Sequence, residues 1–279
     1  MHISCKGLNS QQSIFHAIIM SVFNEIQSLS SNSASGLQNT LNICPPGAKF
    51  RDFEEQIRDF ELSLATHDTA HETPHTLFSP MHYEPCYAYP LIIWLHGQGN
   101  AAERQLMKIM PIVSMRNYVA VAPRGLKCVD TGQFGWPAAE FDFNLAQQRV
   151  FDCLQIASEK CNISKRRIFL VGFDDGGTMA FRMATQFPRY FAGVVSLCGS
   201  FPQGAMPLHH LNAVRQMPCL MCVGRDSPVF PPTEAAKQMT LFHTAGMSVT
   251  VRQYPCRQEL STQMLEDVNR WIMERITQR

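Results

Sequence analysis

From about Thr76 to the C-terminus, short apolar runs alternate with amphipathic stretches, and this alternation restricts the fold more than any other feature. The runs are Tyr89–Leu95, Tyr118–Ala122, Arg167–Gly172, Gly193–Cys198, Cys219–Gly224 and Ser248–Tyr254. Between them, helical spacing predicts helices over Ala102–Arg116, Phe141–Lys160, Gly176–Phe187, Thr233–Ala245 and Ser261–Ile276. Strands that are apolar on both faces need cover on both faces. The expected class is therefore α/β, with a mostly parallel sheet and helices on either side. In such sheets ligands bind beyond the carboxyl ends of the strands.

The first 75 residues read differently, as a helical N-terminal extension ahead of a body spanning 76–279. Ile14, Ile18, Val22, Phe23 and Ile26 fall at helical spacing within Gln11–Leu29, and Ser28–Gly36 is a linker with five serines. Phe50, Phe53, Ile57 and Phe60 share one face of a second helix. Such stripes pack either on their own chain or against a second copy, as a homodimer.

With 279 residues and a formal net charge of +1, the chain has no electrostatic pull towards nucleic acid or an anionic membrane. No apolar run approaches the roughly 20 residues of a membrane span. Phe15–Met20 lacks the basic flank and the cleavage site of a secretory signal, so a cytoplasmic location is expected. The 10 cysteines follow no framework spacing, and Cys219 and Cys222 point to opposite faces of their strand, so free thiols are expected. His67, His71, His75 and His82 are too loosely spaced for a metal site.

The chemistry should lie at two strand ends. Leu95-His96-Gly97-Gln98-Gly99-Asn100 is a glycine-bracketed turn of the kind that aims backbone N–H groups into a cleft. After Arg167–Val171 comes Gly172-Phe173-Asp174-Asp175-Gly176, a strand–turn–helix with the outline of the nucleophile elbow G-x-S-x-G. A carboxylate stands where the serine hydroxyl would be.

Five landmarks occur in order: Tyr89 to Gly99, Ala122-Pro123-Arg124-Gly125, Gly135-Trp136, the elbow, and Ser196-Leu197-Cys198-Gly199-Ser200-Phe201-Pro202. Together they resemble the phospholipase/carboxylesterase family of α/β-hydrolases, which includes acyl-protein thioesterases. The resemblance implies an α/β-hydrolase fold and hydrolysis of esters or thioesters by a Ser-Asp-His triad, without metal or cofactor. Carried onto this chain, the nucleophile position is Asp174. The acid position is Ser227, or Asp226 if the loop shifts by one residue, and the base position is Gln258. The oxyanion hole would use the N–H groups of Gln98 and Asp175.

These replacements remove the family's mechanism, because a carboxylate has no proton to give and an amide cannot accept one at neutral pH. Two functions are therefore carried forward. One is a protein weakly active or inactive towards esters that retains an apolar cleft for a small hydrophobic or acyl ligand. The other is an active hydrolase, of carboxylic esters or, with Asp174 as covalent nucleophile, of epoxides or haloalkanes. The second needs a histidine to activate water, and His209 and His210 are the candidates. His96 has a structural ring by the resemblance, and His243 lies within a helix. By the resemblance Trp136 is expected either to border the cleft or to be ordinary packing, while Met107, Met110 and Met115 fall on a helix beside it and read as core. Asp174 at a helix start, with Asp175 as a second candidate, is expected to fold back into the oxyanion hole formed by the N–H groups of Gln98 and Asp175.

Overall fold

The computed structural model describes residues 73–277, except 101, 129–130, 138–139 and 203–210. The two N-terminal helices and the serine-rich linker lie outside the described residues. Among the described residues there are nine strands: β1 (His75–Phe78), β2 (Tyr89–Leu95), β3 (Val119–Pro123), β4 (Leu126–Lys127), β5 (Phe134–Gly135), β6 (Ile163–Phe173), β7 (Gly193–Leu197), β8 (Cys219–Gly224) and β9 (Val249–Tyr254). The helices are α1 (Leu106–Val113), α2 (Glu140–Lys160), α3 (Asp175–Gln186), α4 (Leu211–Val214), α5 (Pro232–Thr244) and α6 (Thr262–Thr277). A 3-10 turn at Ala102–Gln105 leads into α1.

Seven strands form one sheet in the order β1-β3-β2-β6-β7-β8-β9, parallel throughout except for β1, which runs antiparallel to β3. The sheet separates two cores. Leu91, Ile93, Leu170, Val194 and Met221 face α2, α3 and α5, whereas Ile92, Trp94, Phe169, Val195 and Leu220 face α1 and α6. Alternate residues of the central strands thus enter opposite cores, which is why these strands are apolar at every position. Cys219 and Cys222 fall in different cores, as their odd spacing requires.

The helix expected over Ala102–Arg116 is shorter than its periodicity suggests. Its C-terminal turn gives way at Ser114, whose hydroxyl accepts from the Arg116 and Asn117 N–H groups (3.2 and 3.1 Å) and so turns the chain out of the helix. Met110 is fully buried in this helix, while Met107 is half exposed, so only the former is core. β1, β4, β5 and α4 are too short to carry a period of their own.

Phe181 of α3, Phe201 after β7 and Phe242 of α5 meet edge to face or tilted, with centroids 4.9–6.0 Å apart. This cluster fastens the loop after β7 to the two helices flanking it. Phe181→Ala should cost about 3–5 kcal/mol of unfolding free energy, measured by chemical denaturation.

Candidate active site

β6 ends at Phe173 and α3 begins at Asp175, so Asp174 alone makes the turn, at φ 56° and ψ −124°. A non-glycine residue in this region carries about 1–3 kcal/mol of strain and persists only where its surroundings fix it. They do so here by close backbone approach. A Cβ at Gly172 would run into the Gly176 carbonyl, and one at Gly176 into the carbonyls of Leu95 and His96. The Asp174 N–H donates to Leu197 O at 2.9 Å, and its carbonyl accepts from the N–H groups of Gly177 (2.9 Å) and Thr178 (3.2 Å).

Two further loops reach the elbow. After β8 the Arg225 and Asp226 N–H groups donate to the carbonyls of Tyr254 (2.8 Å) and Cys256 (3.0 Å), joining this loop to the one after β9. The approach is tight enough that a Cβ at Gly224 would strike the Arg257 carbonyl. Beyond this junction Asp267 holds β9 to α6, accepting from Tyr254 Oη (2.8 Å) and pairing with Arg252 (3.0 Å). Gln258, between β9 and α6, is thereby carried to Asp174.

The three side chains form one hydrogen-bonded line. Gln258 Nε2 donates to Asp174 Oδ1 at 2.7 Å and to Cys198 O at 2.8 Å, while Gln258 Oε1 accepts from Ser227 Oγ at 2.6 Å. Chemistry fixes the amide's orientation: the Asp174 carboxylate and the Cys198 carbonyl only accept, so both must face the NH₂ group. Ser227 is only 5% exposed and also accepts from the Phe230 N–H at 3.0 Å. Asp226 faces away, 55% exposed, and pairs with Arg225 at 3.4 Å. Of the two residues offered for the acid position, Ser227 is the one beside Gln258. Sequence reasoning missed the Cys198 carbonyl, presented by a second non-glycine residue at positive φ (57°).

The opposite wall is the loop after β2. His96 is fully buried, and both ring nitrogens bond to backbone: Nε2 accepts from the Gly125 N–H at 2.9 Å, and Nδ1 faces Gly97 O at 2.6 Å. Those partners require a neutral ring protonated on Nδ1, and burial, the largest influence, lowers its pKa accordingly. Trp136 Nε1 donates to His96 O at 2.8 Å, and Gly99 and Phe134 exchange backbone hydrogen bonds of 2.9 Å. Arg124 pairs with Glu103 at 2.6 Å, and the Arg149 guanidinium holds the Arg124 and Gly125 carbonyls at 2.9 and 2.6 Å. The conspicuous sequence motifs are thus bound to one another.

Asp174 does not fold back as expected. Among the described hydrogen bonds its carboxylate accepts from Gln258 and not from the Gln98 or Asp175 N–H, the side-chain amide of Gln258 claiming it instead. Asp175 supplies the inward carboxylate instead: Oδ2 accepts from the Trp136 N–H at 3.0 Å and Oδ1 from the Gly176 N–H at 2.9 Å. Burial, with the neighbouring Asp174 charge as a lesser cause, pushes its pKa up to about 6. His209 and His210 lie outside the described residues. Beside the His96 loop is a cavity of about 270 Å³ walled by Gln98, Asn100, Arg104, Gln105, Lys108 and Phe173. No group of three or more metal-ligating side chains occurs among the described residues.

A mostly parallel sheet in this order, with a strained strand-to-helix turn where three loops converge, defines an α/β-hydrolase fold. The model of the phospholipase/carboxylesterase family matches residues 87–276, and the chain belongs to that family. A protein of Oryza sativa subsp. japonica named as a probable carboxylesterase is 23% identical over 212 residues, covering 68% of this chain and 90% of that one. NocK of Nocardia uniformis subsp. tsuyamanensis, which carries the name of an esterase, is 29% identical over 151 residues, covering 51% of this chain. The match spans only 41% of NocK. The carboxylesterase of Bacillus cereus shares the fold with a TM-score of 0.59 at 18% identity, over 77% of this chain and 98% of its own. Acyl-protein thioesterase 2 of Zea mays does so with a TM-score of 0.56 at 16% identity, over 73% and 99%.

Two outcomes follow from the electrostatics. The folded Asp175 carboxyl holds its proton more tightly than the unfolded chain does, so stability should fall as pH rises from 3.8 to about 6. That fall, up to about 3 kcal/mol in urea titrations, should flatten in Asp175→Asn. Gln258→Glu sets a carboxylate against Asp174 and Cys198 O, and should lower stability at pH 7 by about 2 kcal/mol, with recovery towards pH 4.

Proposed function

We propose that this family member does not hydrolyse esters by the family's mechanism and acts by binding a ligand in the cleft between the elbow and the His96 loop. The observation that carries this proposal is the direction of the hydrogen bonds along Asp174, Gln258 and Ser227. A working triad passes a proton from hydroxyl to imidazole, with the acid holding the ring from behind. Here the acid is at the nucleophile end, the hydroxyl is at the acid end, and every proton in the line points from Ser227 towards Asp174. Gln258 has no basic nitrogen, and both hydrogens of its amide are committed. His96, the histidine in the neighbouring loop, has both nitrogens bound to backbone. Asp174 acting as a covalent nucleophile would leave an alkyl ester from an epoxide or haloalkane, or a mixed anhydride from an ester, with no described base to deprotonate water.

The test is turnover of p-nitrophenyl acetate and butyrate, and of an epoxide and a haloacetate, by the full chain and its variants. The wild-type protein should match Asp174→Ala on every substrate. Gln258→His alone should stay inactive, because the hydroxyl it would meet is the buried Ser227, on the far side of the line from the His96 loop. The triple variant Asp174→Ser, Gln258→His, Ser227→Asp should gain about 10²-fold or more in ester turnover, since general-base catalysis supplies factors of that order. Wild-type turnover lost on Asp174→Ala would overturn the proposal and favour an aspartate nucleophile.

A further inference from the structure

The cavity beside the His96 loop carries two positive charges with no acidic partner among the described residues. Arg104 and Lys108 are one turn apart, both exposed and both lining it, and neither forms an ion pair among the described residues. Glu103, the acid adjacent in sequence, is 2% exposed and turned inward to Arg124. Like charges four residues apart repel, and this pair sits at the N-terminal end of α1, where the helix dipole is also positive. Three unfavourable terms of one sign therefore meet at a concave surface whose lining also includes the amides of Gln98, Asn100 and Gln105. An anion in the cavity would relieve all three at once.

The cavity also adjoins the elbow. Gly97 and Phe173 form its inner wall, and a Cβ on Gly97 would lie 3.3 Å from the Cβ of Asp174. A ligand anchored in the cavity can thus extend over Gly97 to the Gln258 line.

We propose that the ligand of this cleft is a small organic anion, with a carboxylate or phosphate group held between Arg104 and Lys108. This rests on the binding function proposed above and adds the ligand's chemical class. A volume of about 270 Å³ suits a compact anionic group and not a long acyl chain.

Calorimetric titration of the full-length protein with succinate, inorganic phosphate and neutral succinamide tests it. Succinate and phosphate should bind, succinamide should not, and affinity should fall as salt is added. The double variant Arg104→Gln, Lys108→Gln should bind succinate about tenfold or more weakly, as expected for loss of charge-assisted hydrogen bonds. Its melting temperature should be equal or higher, because a like-charge pair is removed. Absence of binding, equal binding of succinamide, or unchanged affinity in the double variant would overturn the assignment. Capture by phosphatidylserine vesicles without a response to succinate would overturn it too. If the wild type proves to be an Asp174-dependent hydrolase while succinate binding still requires Arg104 and Lys108, the binding-only function fails and the anion site stands.

Discussion

Around the elbow the backbone is closer than any side chain would allow, and the rest of the site takes its position from that contact. Gly176 lies against the carbonyls at the end of β2, and Gly172 against the first turn of α3. This packing holds Asp174 at φ 56°. The same contact sets the end of β2 and the start of α3 side by side, which brings the His96 loop to the elbow. The geometry depends on backbone and glycine, so it is indifferent to whether position 174 carries a hydroxyl or a carboxylate.

Indifference in the backbone shifts the whole selection onto hydrogen bonding. An acid at 174 beside a histidine would be a charged pair. Beside glutamine it is a carboxylate met by an N–H, with the amide oxygen left for the Ser227 hydroxyl. Each partner's donors and acceptors match its neighbour's, and the Cys198 carbonyl takes the second amide hydrogen. A buried polar line that is fully matched stabilises the loops it joins, whereas a half-matched one costs more than an apolar core. Position 227 therefore suits a hydroxyl better than a second carboxylate, since Gln258 already spends both hydrogens elsewhere. The replacements are mutually consistent, and none of them requires catalysis to account for it.

Much of this is legible in the sequence because strands apolar at every position can only be covered on both faces. Six of the strands and the positions of five helices follow from that rule. The elbow and the His96 loop are also legible, since glycine spacing at strand ends betrays a close backbone approach, whereas Gln258 is reached only through the family resemblance. What sequence could not show is where side chains turn once several acceptors compete. Asp174 at a helix start looks like a cap, yet a tertiary donor 84 positions away claims it. Asp226 is the more suggestive residue by type, but the packing of Gly224 against Arg257 turns Ser227 inward and leaves Asp226 in solvent. Arg104 and Lys108 carry no signal in the sequence, and only the fold sets them beside the His96 loop.

The charges of the cleft are separated along its length. Asp174 and Asp175 lie at the elbow, and Arg104 and Lys108 lie beyond Gly97 and Phe173. In a site partly withdrawn from water, where opposite charges attract more strongly than in bulk, such a gradient orients a ligand before any specific contact forms. An anionic group entering it would be turned away from the elbow and drawn to the cationic wall. An ester hydrolase built on the same fold has the opposite need, because negative charge develops at the elbow in its transition state and must be stabilised there. A carboxylate fixed at that point works against such a transition state, and at the same time sharpens the separation of charge along the cleft.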